Sequence, residues 1–371
     1  MTQDVVQLTK EIVSFESESR HSNVAVTDFL EDTLKKWSFE IERLEYDDEN
    51  GERKASLVAK KGASIGGFAL ISHSDTVPGS NWDRDPWTPA VENGRVIGLG
   101  ACDMKGPMAA TMIAAAETES SQLKQPVYIV ITSDEESGGY GIKQVVGESE
   151  LFNTNGPEFG VIAEPTQMVP VYAHKGGGRV IVTAHGRAAH TSTERGISAN
   201  FLIAPFLAEM AELSRRVKTD ESFMDQEFDP PTNGFNMVLD DGGCRPNVSA
   251  AKTTCTLSFR TMPKDNRDEL LQIITDTADR YGFESDVSVI NPFYTLPDSE
   301  IVQHAIQATG ATRAETVPYG TDAFFMKAKP QLVVLGPGNI EQAHTNGEWI
   351  EIDQLNLAVD VYKKMISRIC M

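Results

Sequence analysis

Apolar residues recur along the chain with two periods that seldom mix. Near the amino terminus Val5, Val6, Leu8, Ile12 and Val13, then Val26, Phe29, Leu30, Leu34 and Trp37, are spaced by threes and fours, so residues 1–40 read as helical. Later come short apolar, β-branched runs bounded by glycine or proline, at 67–72, 127–131, 160–163 and 331–335. Such runs read as buried strands. Helical patterns follow them over 107–116, 140–152, near 299–308 and over 353–370. Strand and helix alternate, which is the signature of an α/β domain.

The pattern changes around residues 174–180. His174-Lys175-Gly176-Gly177-Gly178 reads as a hinge, after which Arg179 to Ala184 alternates as a half-exposed strand. A loop holding His190, a long helix over 198–217, strand-like stretches at 235–240 and 250–260, a helix over 265–281 and a strand at 284–290 complete the segment. A β-α-β-β-α-β order of this length predicts a ferredoxin-like α+β module. The expected organisation is a main α/β domain with a mixed sheet, residues 1–176 and 291–371, interrupted by an inserted domain at 177–290.

Composition narrows the function by exclusion. The 371 residues carry a formal net charge of −21, which repels nucleic acid phosphates and anionic lipid, so neither is an expected partner. A small anionic substrate would need local arginines or metal ions to reverse that field. The four cysteines, Cys102, Cys244, Cys255 and Cys370, form no CxxC pair, and a reduced, cytoplasmic setting is expected. Met1-Thr2-Gln3-Asp4 opens without a basic and apolar leader, and no apolar run reaches the roughly 18 residues of a membrane span.

The chemistry gathers at the ends of the buried strands. They lead into His73, into Glu135-Glu136, into Glu164 and, through Gly336-Pro337-Gly338, towards His344. In open α/β sheets ligands collect outside the carboxyl ends of the strands, which brings these distant residues together. Asp103, in a glycine-bounded loop, can join them. Two histidines and three carboxylates suit zinc, with cobalt or manganese as alternatives, and five donors suit two metals if one carboxylate is shared. On a strand end neighbouring side chains point to opposite sides, so one of Glu135 and Glu136 can hold metal while the other faces substrate as a general base. Asp75 could fix the tautomer of His73. Cys102 reads as a small buried hydrophobe. His21, His185 and His304 read as ordinary surface or core residues.

The motifs His73-Ser-Asp75-Thr-Val-Pro, Gly100-Ala-Cys-Asp103-Met-Lys-Gly-Pro, Glu135-Glu136-Ser-Gly-Gly and Glu164-Pro-Thr resemble the two-zinc amidohydrolase family that includes acetylornithine deacetylase, succinyl-diaminopimelate desuccinylase and glutamate carboxypeptidase. The resemblance implies a zinc-peptidase-like catalytic domain with an inserted lid and dimerisation domain. It implies that Asp103 bridges two metals, with His73 and Glu164 on one and Glu136 and His344 on the other, and that Glu135 is the general base. It implies a cis peptide at Asp103-Met104. His190 matches a histidine that reaches the partner subunit's site to stabilise an oxyanion, and Asn247, Arg260 and Gly320 match substrate-facing positions. The stretches 164–176 and 335–344, with the Trp82-to-Pro86 loop, are most similar to the acetylornithine deacetylases. The implied reaction is hydrolysis of an N-acyl amino acid, N-acetylornithine above all, by a cytoplasmic homodimer. A dipeptidase, carboxypeptidase or other N-acyl amino acid amidohydrolase of the same family, and a catalytically silent binding or scaffold protein, are the alternatives.

Overall fold

A computed structural model describes residues 4–80, 82–326 and 330–371; the first three residues of the expected amino-terminal helical stretch lie outside them. The chain divides into two compact units. The first comprises residues 1–173, 295–315 and 321–371, and the second comprises residues 174–294 and 316–320.

The first unit is built on a mixed sheet. Its strands run in the order Glu40–Asp47, Arg53–Lys61, Val127–Thr132, Phe68–His73, Phe159–Ile162, Gln331–Val334 and Val171–His174. The three central pairings, between Val127–Thr132 and Phe68–His73, Phe68–His73 and Phe159–Ile162, and Phe159–Ile162 and Gln331–Val334, are parallel. Both Val127–Thr132 and Phe68–His73 are buried at every position, as strands covered on two faces must be. Parallel strands align their carboxyl ends, so His73, Thr132 and Ile162 finish along one edge of the sheet.

Helices Val5–Val13 and Val24–Lys36 replace the single helical stretch expected over 1–40. The interval between them breaks at Ser17–Ser19, whose residues bond to Ser74, Asp75 and Thr76 instead of continuing a helix. Helix Gly106–Ala116 is apolar on all sides and almost wholly buried, and its only companions can be other core elements. It packs with the carboxyl-terminal helix Ile352–Cys370, whose Tyr362 hydroxyl donates to the Leu335 carbonyl at 2.8 Å.

The second unit is the expected ferredoxin-like module. Its antiparallel sheet has the order Asn236–Asp240, Lys252–Phe259, Gly177–His185, Glu284–Ile290, with helices Ala199–Arg216 and Arg267–Arg280 packed on it. The glycine run is not a slack hinge. Gly177 opens the strand and Gly178 pairs with Phe259, where a Cβ would lie 2.3 Å from that ring. Gly176 is equally confined, with Thr261 Oγ1 2.1 Å from its would-be Cβ. Gly176 and Gly178 thus serve close packing, whereas a side chain at Gly177 would meet nothing within 4 Å. Among the described residues no helix is long and apolar enough to cross a membrane.

Candidate metal centre

At the carboxyl edge of the first unit's sheet, chain segments far apart in sequence converge. His73 is the last residue of its strand, and Glu164 lies two residues beyond Ile162. Gly336 has no side chain because it lies against the Ala163 and Glu164 carbonyls, where a Cβ would meet oxygen at 2.2 Å and 2.5 Å. That close approach brings the segment leading to His344 alongside Glu164. Asp103 sits in a tight turn over Ala101–Lys105, entered through Gly100 at φ 79 and broken by the extended backbone of Asp103 itself. The Asp103-Met104 peptide is cis, as the resemblance implies.

These residues form two groups of metal-donor atoms, each with its atoms within 4.8 Å of one another: His73, Asp103 and Glu164, and Asp103, Glu136 and His344. Asp103 belongs to both. Its Oδ1 lies 3.3 Å from His73 Nε2 and its Oδ2 lies 3.3 Å from His344 Nε2. Glu164 Oε1 is 3.7 Å from His73 Nε2, and Glu136 Oε1 is 2.9 Å from His344 Nε2. The sharing of one carboxylate between the two sets is the arrangement the sequence reading anticipated.

So many acids in a small buried space perturb one another. Burial alone would raise the Asp103 pKa, but hydrogen bonds from His344 and His73 outweigh it and hold the carboxyl below its ordinary range. Hydrogen bonding to Asp103 and Glu136 pushes His344 up to about 10. Burial raises Glu135, Glu136 and Glu164. Crowded carboxylates that resist ionisation together are what a bound cation relieves, so the donor set fits divalent metal on charge as well as on geometry.

Asp75 is fully buried and ties the set together. Its main-chain oxygen is 3.1 Å from His73 Nδ1, and its carboxylate accepts from the amides of Glu135 and Glu136 at 3.2 Å each and from the Ser19 hydroxyl at 2.6 Å. The imidazole partner and the backbone of the acid pair therefore share one anchor. Glu135 and Glu136 do not owe their divergence to strand alternation. The strand ends at Thr132, Asp134 adopts the left-handed conformation at φ 60, and the two glutamates occupy the short helical turn that follows. Asp134 is held there by the Tyr46 hydroxyl and by the buried Lys54 ammonium, 3.1 Å from its Oδ1. Glu136 joins a donor set and Glu135 joins neither.

Three contributors lie outside the residues singled out from sequence. Ser19 is one. Asp322 is another: it is buried, accepts from Thr132 Oγ1 at 2.7 Å, and is pushed up to about 7 by burial. Glu348 is the third and is taken up below. Nothing in their residue types or spacing marks them, because each acts on the backbone or on a partner distant in sequence. His21, His185 and His304 enter neither donor set.

The remaining sequence-predicted residues belong to the second unit. His190 is exposed on a loop, with Nδ1 2.7 Å from the Ser192 hydroxyl, and Asn247 is its neighbour through the Thr191 amide to the Asn247 carbonyl at 3.0 Å. Arg260 is exposed just beyond its strand, and Gly320 is partly buried. His174 is fully buried against the Phe293 ring, 5.1 Å between centroids.

Two donor sets sharing a carboxylate at the carboxyl edge of a mixed α/β sheet, with a spare glutamate beside them, define a metal-dependent hydrolase. Comparison with known proteins agrees. Residues 69–368 match the family described as peptidase family M20/M25/M40, and the chain belongs to that family. It is 32% identical to an acetylornithine deacetylase of Myxococcus xanthus, over 97% of this chain and 96% of the relative. It is 30% identical to one of Proteus mirabilis, over 98% and 94% respectively. Among solved structures, a tripeptidase from Staphylococcus aureus superposes with a TM-score of 0.75 at 22% identity, covering 99% of each chain. A protein of Bacillus subtilis described as a dinuclear metal binding peptidase superposes with a TM-score of 0.65 at 16% identity, covering 98% of this chain and 97% of that one. The chain is a metal-dependent amidohydrolase.

Proposed function

We propose that this hydrolase is a zinc enzyme that removes the acyl group from an N-acyl amino acid, with N-acetylornithine as its substrate. The observation that carries the reading is Glu135: a carboxylate beside the two donor sets that belongs to neither, in surroundings that favour holding a proton. The name shared by the curated relatives supports the substrate.

In this reading His73, Asp103 and Glu164 hold one ion, and Asp103, Glu136 and His344 hold the other. The mixed nitrogen and oxygen donors suit zinc, with cobalt or manganese able to replace it. Bound metals polarise the substrate carbonyl and acidify water. The chain's own residues do the rest. Glu135 takes the proton of the attacking water and passes it to the departing amine nitrogen, a task suited to a carboxylate whose pKa is raised by burial. Asp75 holds His73 Nδ1, which leaves Nε2 for the side of Asp103 and Glu164. In this reading Arg260 pairs with the substrate carboxylate and supplies the local positive charge that a −21 protein requires, and Asn247 and Gly320 also face the substrate.

His190 steadies the oxyanion from the partner subunit of a homodimer. What supports the dimer is the second unit's surface: Asn236–Asp240 is an edge strand whose Val238 and Leu239 are exposed, and Phe201 on the neighbouring helix is 84% exposed. Edges and apolar faces of this kind are usually covered in the working assembly. Residues 177–290 serve as the lid and dimerisation domain. Free cysteines at 102, 244, 255 and 370 agree with a cytoplasmic setting.

The test is release of free amine from a panel of acetylornithine, acetylmethionine, succinyl-diaminopimelate and dipeptides, with zinc or cobalt supplied. Turnover of acetylornithine well above the others is expected. Preference for dipeptides would move the protein to peptide turnover. No turnover by a metal-loaded protein would overturn the reading.

A further inference from the structure

Glu348 is 1% exposed, four residues after His344 in the segment that also carries the sharp turn at Gly347, φ 79. Its carboxylate reaches across to the Asp103 turn. Oε1 accepts from the amides of Cys102 at 2.7 Å and Asp103 at 2.9 Å, and Oε2 accepts from the amide of Gly100 at 3.1 Å. Its main-chain oxygen accepts from the Gly98 amide at 3.0 Å. A buried carboxylate is unfavourable unless its lone pairs are used, and here peptide groups use them.

The turn needs this partner. Gly100 is left-handed and Asp103 and Met104 have non-helical backbone, so no helical ladder serves the amides of residues 100, 102 and 103. Without Glu348 they would be orphaned in a dry interior. Asp103 is also the one residue whose position matters to both donor sets, since its two oxygens face His73 and His344 at the same 3.3 Å.

We propose that Glu348 is a positioning residue that sets the backbone of Asp103 and thereby holds both donor sets in register. The proposal rests on the two-metal reading above. It separates Glu348 from the unshared donors: losing one of those empties one set, whereas a lost Glu348 weakens both at once.

The experiment compares Glu348→Gln with His344→Ala and with the wild type by chelator competition for cobalt. Alongside it, the metal-free proteins are melted and amide hydrogen exchange is followed in the metal-free wild type. In Glu348→Gln one carboxylate oxygen becomes an NH2 that cannot accept from the backbone amides, so the three-bond clamp is broken at one end at least, and both metal equivalents are expected to weaken together by about 10–100-fold, the range for groups that orient ligands. His344→Ala is expected to lose one equivalent. In the metal-free wild type the Cys102 and Asp103 amides are expected to be protected already. Metal affinity in Glu348→Gln equal to wild type, with only the melting temperature lowered, would overturn the proposal. So would rapid exchange of those two amides in the wild type, a result that stands even if the variant does not fold. A wild type that binds no metal would instead overturn the two-metal reading and leave the exchange result to decide what Glu348 does.

Discussion

The two donor sets share Asp103 and differ in almost everything else. His73 and Glu164 are closed off from solvent, on or just beyond parallel strands at the middle of the sheet. His344 is 51% exposed and sits on a loop in the left-handed conformation, φ 61. One set is therefore dry, the other open to solvent at one corner. A donor atom on a buried strand is placed by the fold at no further entropic cost, while a donor on an exposed loop must be ordered when the ion arrives. The lesson is that a two-metal site need not be symmetric in affinity or exchange, and that the shared carboxylate is what couples the halves.

Removing the coupling has the largest expected effect. Asp103→Ala is predicted to lose both metal equivalents and all measurable turnover; retention of one tightly held ion would show that the sets are independent. Next is Glu135→Gln, predicted to keep both ions and lose about 10²–10⁴-fold in kcat. Unchanged turnover in that variant would remove Glu135 from the chemistry. The asymmetry itself is tested by His344→Ala, which should leave one slowly exchanging ion, and by brief chelator treatment of the wild type, which should strip one equivalent before the other. Simultaneous loss would erase the distinction between the halves. Asp75→Asn should weaken the buried set by about 10–100-fold, because the carboxylate it removes lies 3.4 Å from His73 Nδ1 and also accepts from the Glu135 and Glu136 amides.

The smallest effect is a proton count. Hydrogen bonds to Asp103 and Glu136 raise His344 to about 10, so at pH 8 the empty protein holds a proton there that a bound ion must displace. Metal uptake at pH 8 is predicted to release protons, and His344→Ala is predicted to release fewer. Calorimetry in buffers of different ionisation enthalpy reads the difference. Affinity at this set should accordingly fall as the pH is lowered from about 10.

Much of the site was legible because strand ends are legible. An uninterrupted apolar run leading into ligand-type residues pointed to His73, the Glu135-Glu136 pair and Glu164, topology suggested that they meet, and the family resemblance chose Glu136 within the pair. What stayed hidden falls into two kinds. Strands Glu40–Asp47 and Arg53–Lys61 are rich in charge, and the second buries Lys54 and Lys61, so neither shows an apolar run or a clean alternation. Lys54 escapes the usual rule for lysine because its ammonium is held by the Ser19 and His21 carbonyls at 2.5 Å and 2.7 Å and by Asp134. The second kind is conformational: Glu135 and Glu136 follow a left-handed Asp134 in a short helical turn, and Gly176 and Gly178 mark close contacts, neither of which residue spacing encodes.

The strand order has a consequence for how the protein is made. The strand Gln331–Val334 lies beside Phe159–Ile162 in the sheet but about 170 positions later in the chain, after the whole inserted segment has been synthesised. A nascent chain that has emerged past Glu164 already displays His73, Asp103 and Glu164, yet it lacks the neighbour that completes the sheet beneath them. His344 and Glu348 follow later still in the chain. The final donor is thus delivered only after the inserted segment, and metal loading must wait for it. A chain truncated after the inserted segment would carry most of the donors and have no centre in which to use them.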